Sequence, residues 1–240
     1  MLIEKKFDEK LQKVIKLKNP VEGKLWADVI IYSIVILLLV CGYYFARRST
    51  FDLQLFNRTL ADTGMLLIGI SFALSSICYF WNFADSFIIY RKHFGLVGFT
   101  YVAAHVIISV ALLPEFYAFP AYYLKPENIM SFIAALAAFI VLTMMALISN
   151  KYAIQKLGGV LWKKLLSLGF LAYVLTLIHY GTKVYVYWIR WFTGTSEIKS
   201  ALPPFSLLVT LFAITILSLR LALSIHLSLK KKTALTDENI

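Results

Sequence analysis

IMSFIAALAAFIVLTMMALIS, residues 129–149, carries no charged side chain over 21 consecutive positions. A helix of that length rises about 30 Å, which matches the hydrocarbon core of a bilayer. Comparable apolar runs recur along the 240-residue chain, which is 60% hydrophobic. Flanking charges delimit six predicted spans, at 27–46, 63–89, 96–113, 129–149, 162–187 and 204–227. The sequence therefore predicts an all-α integral membrane protein, a six-transmembrane-helix bundle.

The basic residues are distributed unevenly between the two sides of this predicted bundle. If both termini are cytoplasmic, 17 of the 24 Lys and Arg residues lie on the cytoplasmic side and seven lie on the other. The positive-inside rule therefore predicts that both termini are cytoplasmic. Because the net charge of +11 is explained by loops flanking apolar spans, no nucleic-acid partner is expected.

Three regions are expected along the chain. Residues 1–25 form a basic segment with apolar residues at helical spacing, which predicts an amphipathic helix contacting anionic membrane lipid. Residues 26–227 form the membrane domain, and residues 228–240 form a polar cytoplasmic tail. The two cysteines, Cys41 and Cys78, lie inside apolar spans without CxxC spacing, so neither a disulfide framework nor a zinc site is indicated.

Two histidines lie inside predicted spans, His105 in YVAAHVI and His179 in LTLIHYG. An imidazole in hydrocarbon requires a partner or a ligand, so an intramembrane histidine indicates a functional site. The third and fifth spans run in the same direction, and at about 1.5 Å per residue both rings reach the middle-to-outer half of the membrane. We therefore expect His105 and His179 to ligate the iron of one haem b, an arrangement suited to one-electron transfer.

Other residues are weaker candidates for binding a cofactor. His93, in YRKHFGL, is predicted at the cytoplasmic mouth beside Arg91 and Lys92, where a solvated or interfacial ring is expected. It precedes His105 by twelve residues, which places it about 120° off the same helix face. His226 is expected at the membrane interface near the end of the last span.

Two stretches carry a resemblance to a known family. LADTGMLLIGISFALSSICYFWNF (60–83), followed by YRKHFGLVGFTYVAAHV (90–106), resembles the paired-basic, Leu-Gly-Leu, Phe, Tyr-Ala, His signature of ferric-reductase-like transmembrane proteins. ALISNKYAIQKLGGVLWKKLLSLGFLAYVLTLIHY (146–180) is similar to that family's Trp-x-x-Leu-His-Arg-Leu, then Leu-His segment. The resemblance covers roughly residues 60–185. It is strongest to the MsrQ family, the haem-binding membrane subunits of the bacterial periplasmic methionine sulfoxide reductase system.

The resemblance implies that His105 and His179 are the axial ligands of a haem. Where the family has a further histidine, this sequence has Leu166, so a single haem is expected unless His93 supplies the missing ligand. The implied protein is the electron-transfer subunit of an oxidoreductase in the bacterial inner membrane. Its donor would be a cytoplasmic flavin reductase or a quinone, and its acceptor a periplasmic reductase partner or ferric iron. The candidates for binding the phosphate of a flavin, FMN or FAD, or an acidic donor are Arg91, Lys92, Lys163 and Lys164.

Two other classes of function remain open. A transporter or channel would use the two histidines to relay protons or to bind a divalent metal. Against this class, Asp85 is the one acidic residue well inside a predicted span, whereas proton-coupled pumps use clusters of acidic residues. A structural scaffold would use the histidines only for hydrogen bonds between helices. No Gly-rich nucleotide loop, HExxH or GxSxG motif occurs, so no catalytic residue is assigned.

Overall fold

The computed structural model describes residues 21–198 and 200–237, with side chains described as far as residue 230. The predicted amphipathic helix therefore lies almost entirely outside the described residues. The described part is helical and contains no strand. Its helices are α1 (Glu22–Arg48), α2 (Leu53–Phe80), a 3-10 helix (Asn82–Tyr90), α3 (Arg91–Ile107) with a π-helical extension (Ile108–Leu112), α4 (Pro126–Ile148), α5 (Lys151–Ser167), α6 (Gly169–Phe192) and α7 (Phe205–Asp237).

Six helical segments of the described chain are long and apolar enough to cross a membrane, which confirms the predicted fold class. They are α1, α2, Asn82–Leu112, α4, Lys151–Phe192 and α7 as far as Lys230. The last helix continues to Asp237, so most of the predicted polar tail at 228–240 is part of this helix. We call the end of the bundle that carries 49–52, 113–125 and 193–204 the outer end, following the predicted topology, and the opposite end the inner end.

The second span differs most from its predicted bounds of 63–89. The helix α2 begins ten residues earlier, because the side chain of Asp52 accepts a hydrogen bond from the Leu55 amide at 2.7 Å and caps its first turn. It ends at Phe80, where Trp81 adopts an extended conformation. Asp85 consequently lies in the short 3-10 helix that follows the break.

The predicted span 162–187 covers parts of two helices. Within α5, Gly158 has a φ of 72°, which kinks the helix where a side chain would be strained. A second break at Leu168 separates α5 from α6. The helix α6 then crosses to the outer end, carrying His179 in its middle.

The helices α2 and α3 run antiparallel and pack closely. A Cβ atom on Gly98 would lie 2.9 Å from the Ile68 nitrogen and 3.0 Å from the Gly64 oxygen, so only glycine permits this crossing. Seven residues towards the inner end, the Ser71 hydroxyl donates to the Arg91 carbonyl at 2.7 Å. Contacts that recur every seven residues indicate left-handed packing of the coiled-coil type.

A large cluster of buried side chains fills the bundle below the outer half. It joins α2, α4, α6 and α7, and its fully buried members include Ala172, Tyr173 and Val209. A second cluster packs α1 and α2 against the 3-10 helix and α3. These buried side chains fill the bundle beneath a cavity that opens towards the outer end.

Candidate functional site

The cavity lies between the α2–α3 pair and the α4–α6 pair, and has a volume of about 730 Å³. Its floor is formed by Ile68, Leu142 and Tyr173, which belong to the buried cluster, and its lining continues to the outer end. Both His105 and His179 line it. The structure therefore brings together the two histidines that the sequence singles out, in a volume typical of cofactor sites.

His105 is held by a residue of the neighbouring helix. Its Nδ1 lies 3.0 Å from the backbone oxygen of Asn57 and 3.0 Å from the Asn57 side-chain oxygen. The amide nitrogen of Asn57 donates to the Ser109 hydroxyl at 2.8 Å, which keeps the side-chain oxygen turned towards the imidazole. Because both neighbours of Nδ1 are acceptors, this nitrogen carries the proton and Nε2 keeps its lone pair.

His179 is held in the same way by α4. Its Nδ1 lies 3.0 Å from the backbone oxygen of Ser131 and 2.9 Å from the Ser131 hydroxyl. That hydroxyl donates in turn to the His179 carbonyl at 3.3 Å, so it accepts from the ring. The proton is again on Nδ1.

The two Nε2 atoms make no hydrogen bond with any described residue. A histidine that ligates a metal characteristically donates its other ring N–H to a carbonyl, which fixes its orientation. The apolar residues that line the same cavity include Val102, Phe132, Ala135, Leu136 and Phe139. Two oriented neutral imidazoles on one cavity of this size are the type of ligand pair that a bis-histidine haem uses.

Asp62 is a site residue that the sequence interpretation missed. It is 1% exposed and lines the cavity. Its carboxyl group accepts hydrogen bonds from the Tyr44 hydroxyl at 2.5 Å and from the Tyr180 hydroxyl at 2.6 Å. The statement that Asp85 is the one acid well inside a span is therefore wrong. The sequence carries little signal, since Asp62 stands one residue before the predicted start of the second span at 63 and therefore falls in the preceding loop.

Basic and tyrosyl side chains line the outer part of the cavity. The basic residues are Arg47, Arg48, Arg58, Lys183 and Arg190. Lys183 donates to the Asn128 side-chain oxygen and, at 3.3 Å, to the Tyr122 hydroxyl. Burial raises the pKa of Tyr122, so this phenol is neutral and leaves the lysine charge uncompensated.

His93 is placed apart from the cavity, near the inner end of α3. It is 3% exposed rather than solvated, and the edge of its ring contacts Trp26 with the ring centroids 4.8 Å apart. Neither ring nitrogen makes a hydrogen bond of ordinary geometry. Of the two expected environments, solvated or interfacial, the solvated one is wrong, because α1 covers this face of α3. His226 is half-buried and packs against Tyr79 and Phe80.

The basic candidates for binding a flavin or an acidic donor also lie away from the two histidines. Arg91 is half-buried at the start of α3, and Lys92 is exposed and forms an ion pair of 3.0 Å with Glu22. Lys163 and Lys164 are exposed on α5. None of the four lines the cavity.

Leu166, at the position of the family's further histidine, is half-buried on α5 and does not line the cavity either. The inner candidates and the two intramembrane histidines thus form separate regions of the molecule. No protein-family model and no curated protein matches this chain.

Proposed function

We propose that this protein is a haem b electron carrier of the membrane, of the ferric-reductase-like kind that its motifs resemble. The observation that supports the proposal is the pair of imidazoles on one cavity, each with Nδ1 hydrogen-bonded to a neighbouring helix and Nε2 left for a ligand. His105 and His179 would hold the iron from two sides. The cofactor would supply one-electron exchange without binding oxygen.

The chain's own residues would set the properties of such a site. Asn57 and Ser131 hold each ring in one tautomer and orientation and increase the basicity of Nε2. The apolar walls keep water out and lower the local dielectric constant, which favours the redox state with the smaller net charge. An electron from an inner donor, a flavin or a quinone, would have to cross the packed side chains beneath the cavity to reach it.

The same residues are less suited to binding a bare metal ion. Among the described residues, no group of three or more His, Cys, Asp or Glu side chains is placed to hold a metal. A structural zinc ion needs four protein ligands and a catalytic one needs three, whereas a haem brings four nitrogens of its own and needs two. The donor set therefore favours haem over a divalent metal.

A second candidate function is supported by Asp62. This buried carboxyl group lines the same cavity as the two histidines, so three groups that can exchange protons share one cavity that continues to the outer end. A proton-conducting protein would carry such groups without a chromophore.

The test is a reduced-minus-oxidised absorption spectrum of the detergent-purified protein, produced with ample haem, together with haem quantification per chain. We expect a low-spin b-type spectrum at about one haem per chain. His105→Ala and His179→Ala should each abolish it, because one remaining imidazole leaves the iron without its second axial ligand.

His93→Ala and His226→Ala serve as matched controls, since both remove a histidine that does not line the cavity. Both should retain the spectrum. Loss of the spectrum in His93→Ala alone would assign a ligand at the inner end and contradict the proposed pair. A colourless protein that conducts protons in vesicles would reject haem binding and favour the second candidate.

A further inference from the structure

The basic residues of the outer end are concentrated at the cavity. Seven of the 24 Lys and Arg residues are predicted on the outer side, and five of these seven line the cavity. Membrane proteins ordinarily keep such residues on the cytoplasmic side. Placing most of the outer cations around one cavity therefore indicates that the cavity binds something negative.

The contacts of these cations are mostly with neutral groups. The Nε of Arg47 donates to the Leu202 carbonyl at 3.2 Å, and the guanidinium of Arg58 lies 5.9 Å from the centroid of the Tyr187 ring. The Nε of Arg48 is buried without a hydrogen-bond partner. Neutral contacts orient a cation without cancelling its charge.

Arg190 is the one basic residue of this set with an ionic contact among the described residues, an exposed pair of 3.4 Å with Glu197. The carboxyl groups that line the cavity are Asp62 and Glu197. Even with both ionised, five positive charges against two negative ones leave an excess of three. The two propionates of a bound haem would leave this region positive.

We infer that the outer part of the cavity selects small, multiply charged anions, and that the electron acceptor of this protein is such an anion. This inference rests on the proposed function. The acceptor would take up one electron from a ferrous haem held by His105 and His179, the iron would become ferric, and no bond or proton would be exchanged. Clefts lined by charge of one sign raise association rates of opposite charge by factors of about 10 to 1,000 at low salt.

The experiment follows reoxidation of the dithionite-reduced protein in a stopped-flow spectrometer. Two outer-sphere oxidants of opposite charge are compared, ferricyanide and hexaammineruthenium(III), each over a series of salt concentrations. The rate with ferricyanide should fall as salt is added, and the rate with the cationic oxidant should not fall. Comparing salt dependences removes the difference in driving force between the two oxidants.

Arg48→Gln tests the assignment to the cavity, and Lys125→Gln is its matched control. Both remove one predicted outer charge, but Lys125 is exposed and does not line the cavity. Arg48→Gln should lower the ferricyanide rate at low salt about tenfold, and Lys125→Gln should leave it nearly unchanged. Arg190→Gln, which replaces a side chain 47% exposed, provides a second variant if Arg48→Gln does not fold.

The two hypotheses fail in different ways. A normal haem spectrum with equal salt dependences for both oxidants would overturn the anion selectivity and leave the haem assignment in place. Absence of a haem would remove the electron-transfer step. Equilibrium dialysis of ferrocyanide against the colourless protein then decides the anion site, which is upheld if ferrocyanide binds and Arg48→Gln weakens that binding, and rejected if it does not bind.

Discussion

The carboxyl group of Asp62 lies inside the membrane-spanning bundle, where little water is available to solvate it. A charged side chain at the middle of a membrane helix costs about 2.5–3.5 kcal/mol on insertion scales, and more without partners. Here the carboxyl group accepts one hydrogen bond from α1, through Tyr44, and one from α6, through Tyr180. Three helices therefore meet at this side chain, and the cavity wall depends on it.

We predict that Asp62→Ala lowers the free energy of unfolding by about 2 kcal/mol, because it leaves two largely buried hydroxyl groups without an acceptor. Asp62→Asn should cost less, since its carbonyl oxygen keeps one acceptor. Unfolding of the purified protein by a denaturing detergent, followed by circular dichroism, measures both.

A double-mutant cycle with Tyr180→Phe separates the hydrogen bond from other effects of the substitution. In the Tyr180→Phe background, Asp62→Ala should cost less than in the wild type, because one of the two stranded hydroxyl groups is already gone. Strictly additive losses would show that the short contact between Asp62 and Tyr180 contributes no stability.

Asn57 and Ser131 show why the sequence could identify the histidines but not the residues that orient them. An imidazole inside an apolar run is conspicuous in a single sequence, and span direction places two such residues at compatible depths. Asparagine and serine are common in membrane helices, and only the packing of α2 on α3 and of α4 on α6 shows which ones reach an imidazole. Asp62 was missed for a related reason, since the charged and polar start of α2 lowered its apparent hydropathy.

At the scale of the helix pair, the orientation of His105 depends on two glycines. The Asn57–His105 contact lies seven residues, about 10 Å, towards the outer end from the Gly64–Gly98 crossing. The close approach of α2 and α3 at that crossing sets their separation two turns away. Backbone atoms limit the crossing, so a side chain added there cannot be absorbed by a change of rotamer.

We predict that Gly98→Ala lowers the free energy of unfolding by about 1–3 kcal/mol and reduces the haem content, because its Cβ would be 2.9 Å from a backbone nitrogen of α2. Haem per chain and detergent-induced unfolding measure the two effects. Gly42→Ala is the control, since a Cβ at Gly42, in the last two turns of α1, meets nothing within 4 Å. An unchanged free energy of unfolding in Gly98→Ala would mean that α2 and α3 can move apart at this crossing without loss of stability.

For the molecule as a whole, the number and type of the spans could be predicted because runs of about twenty apolar residues have few alternatives to a membrane helix. The boundaries could not, because hydropathy does not register a cap such as Asp52 or a kink such as Gly158. The cavity could not be predicted either. It depends on which helices pack closely and which stay apart, and this is a property of pairs of helices rather than of any one segment.

The side of the membrane on which the cavity opens follows from the predicted topology and can be measured. Thr195 lies in the outer loop after α6, Lys156 lies on α5 at the inner end, and both are exposed. In a Cys41→Ser background, the remaining Cys78 is fully buried and should not react. A membrane-impermeant maleimide added to spheroplasts should label Thr195→Cys, and should label Lys156→Cys only after lysis. The reverse pattern would place the cavity mouth in the cytoplasm, and the anionic acceptor would then have to be sought on that side.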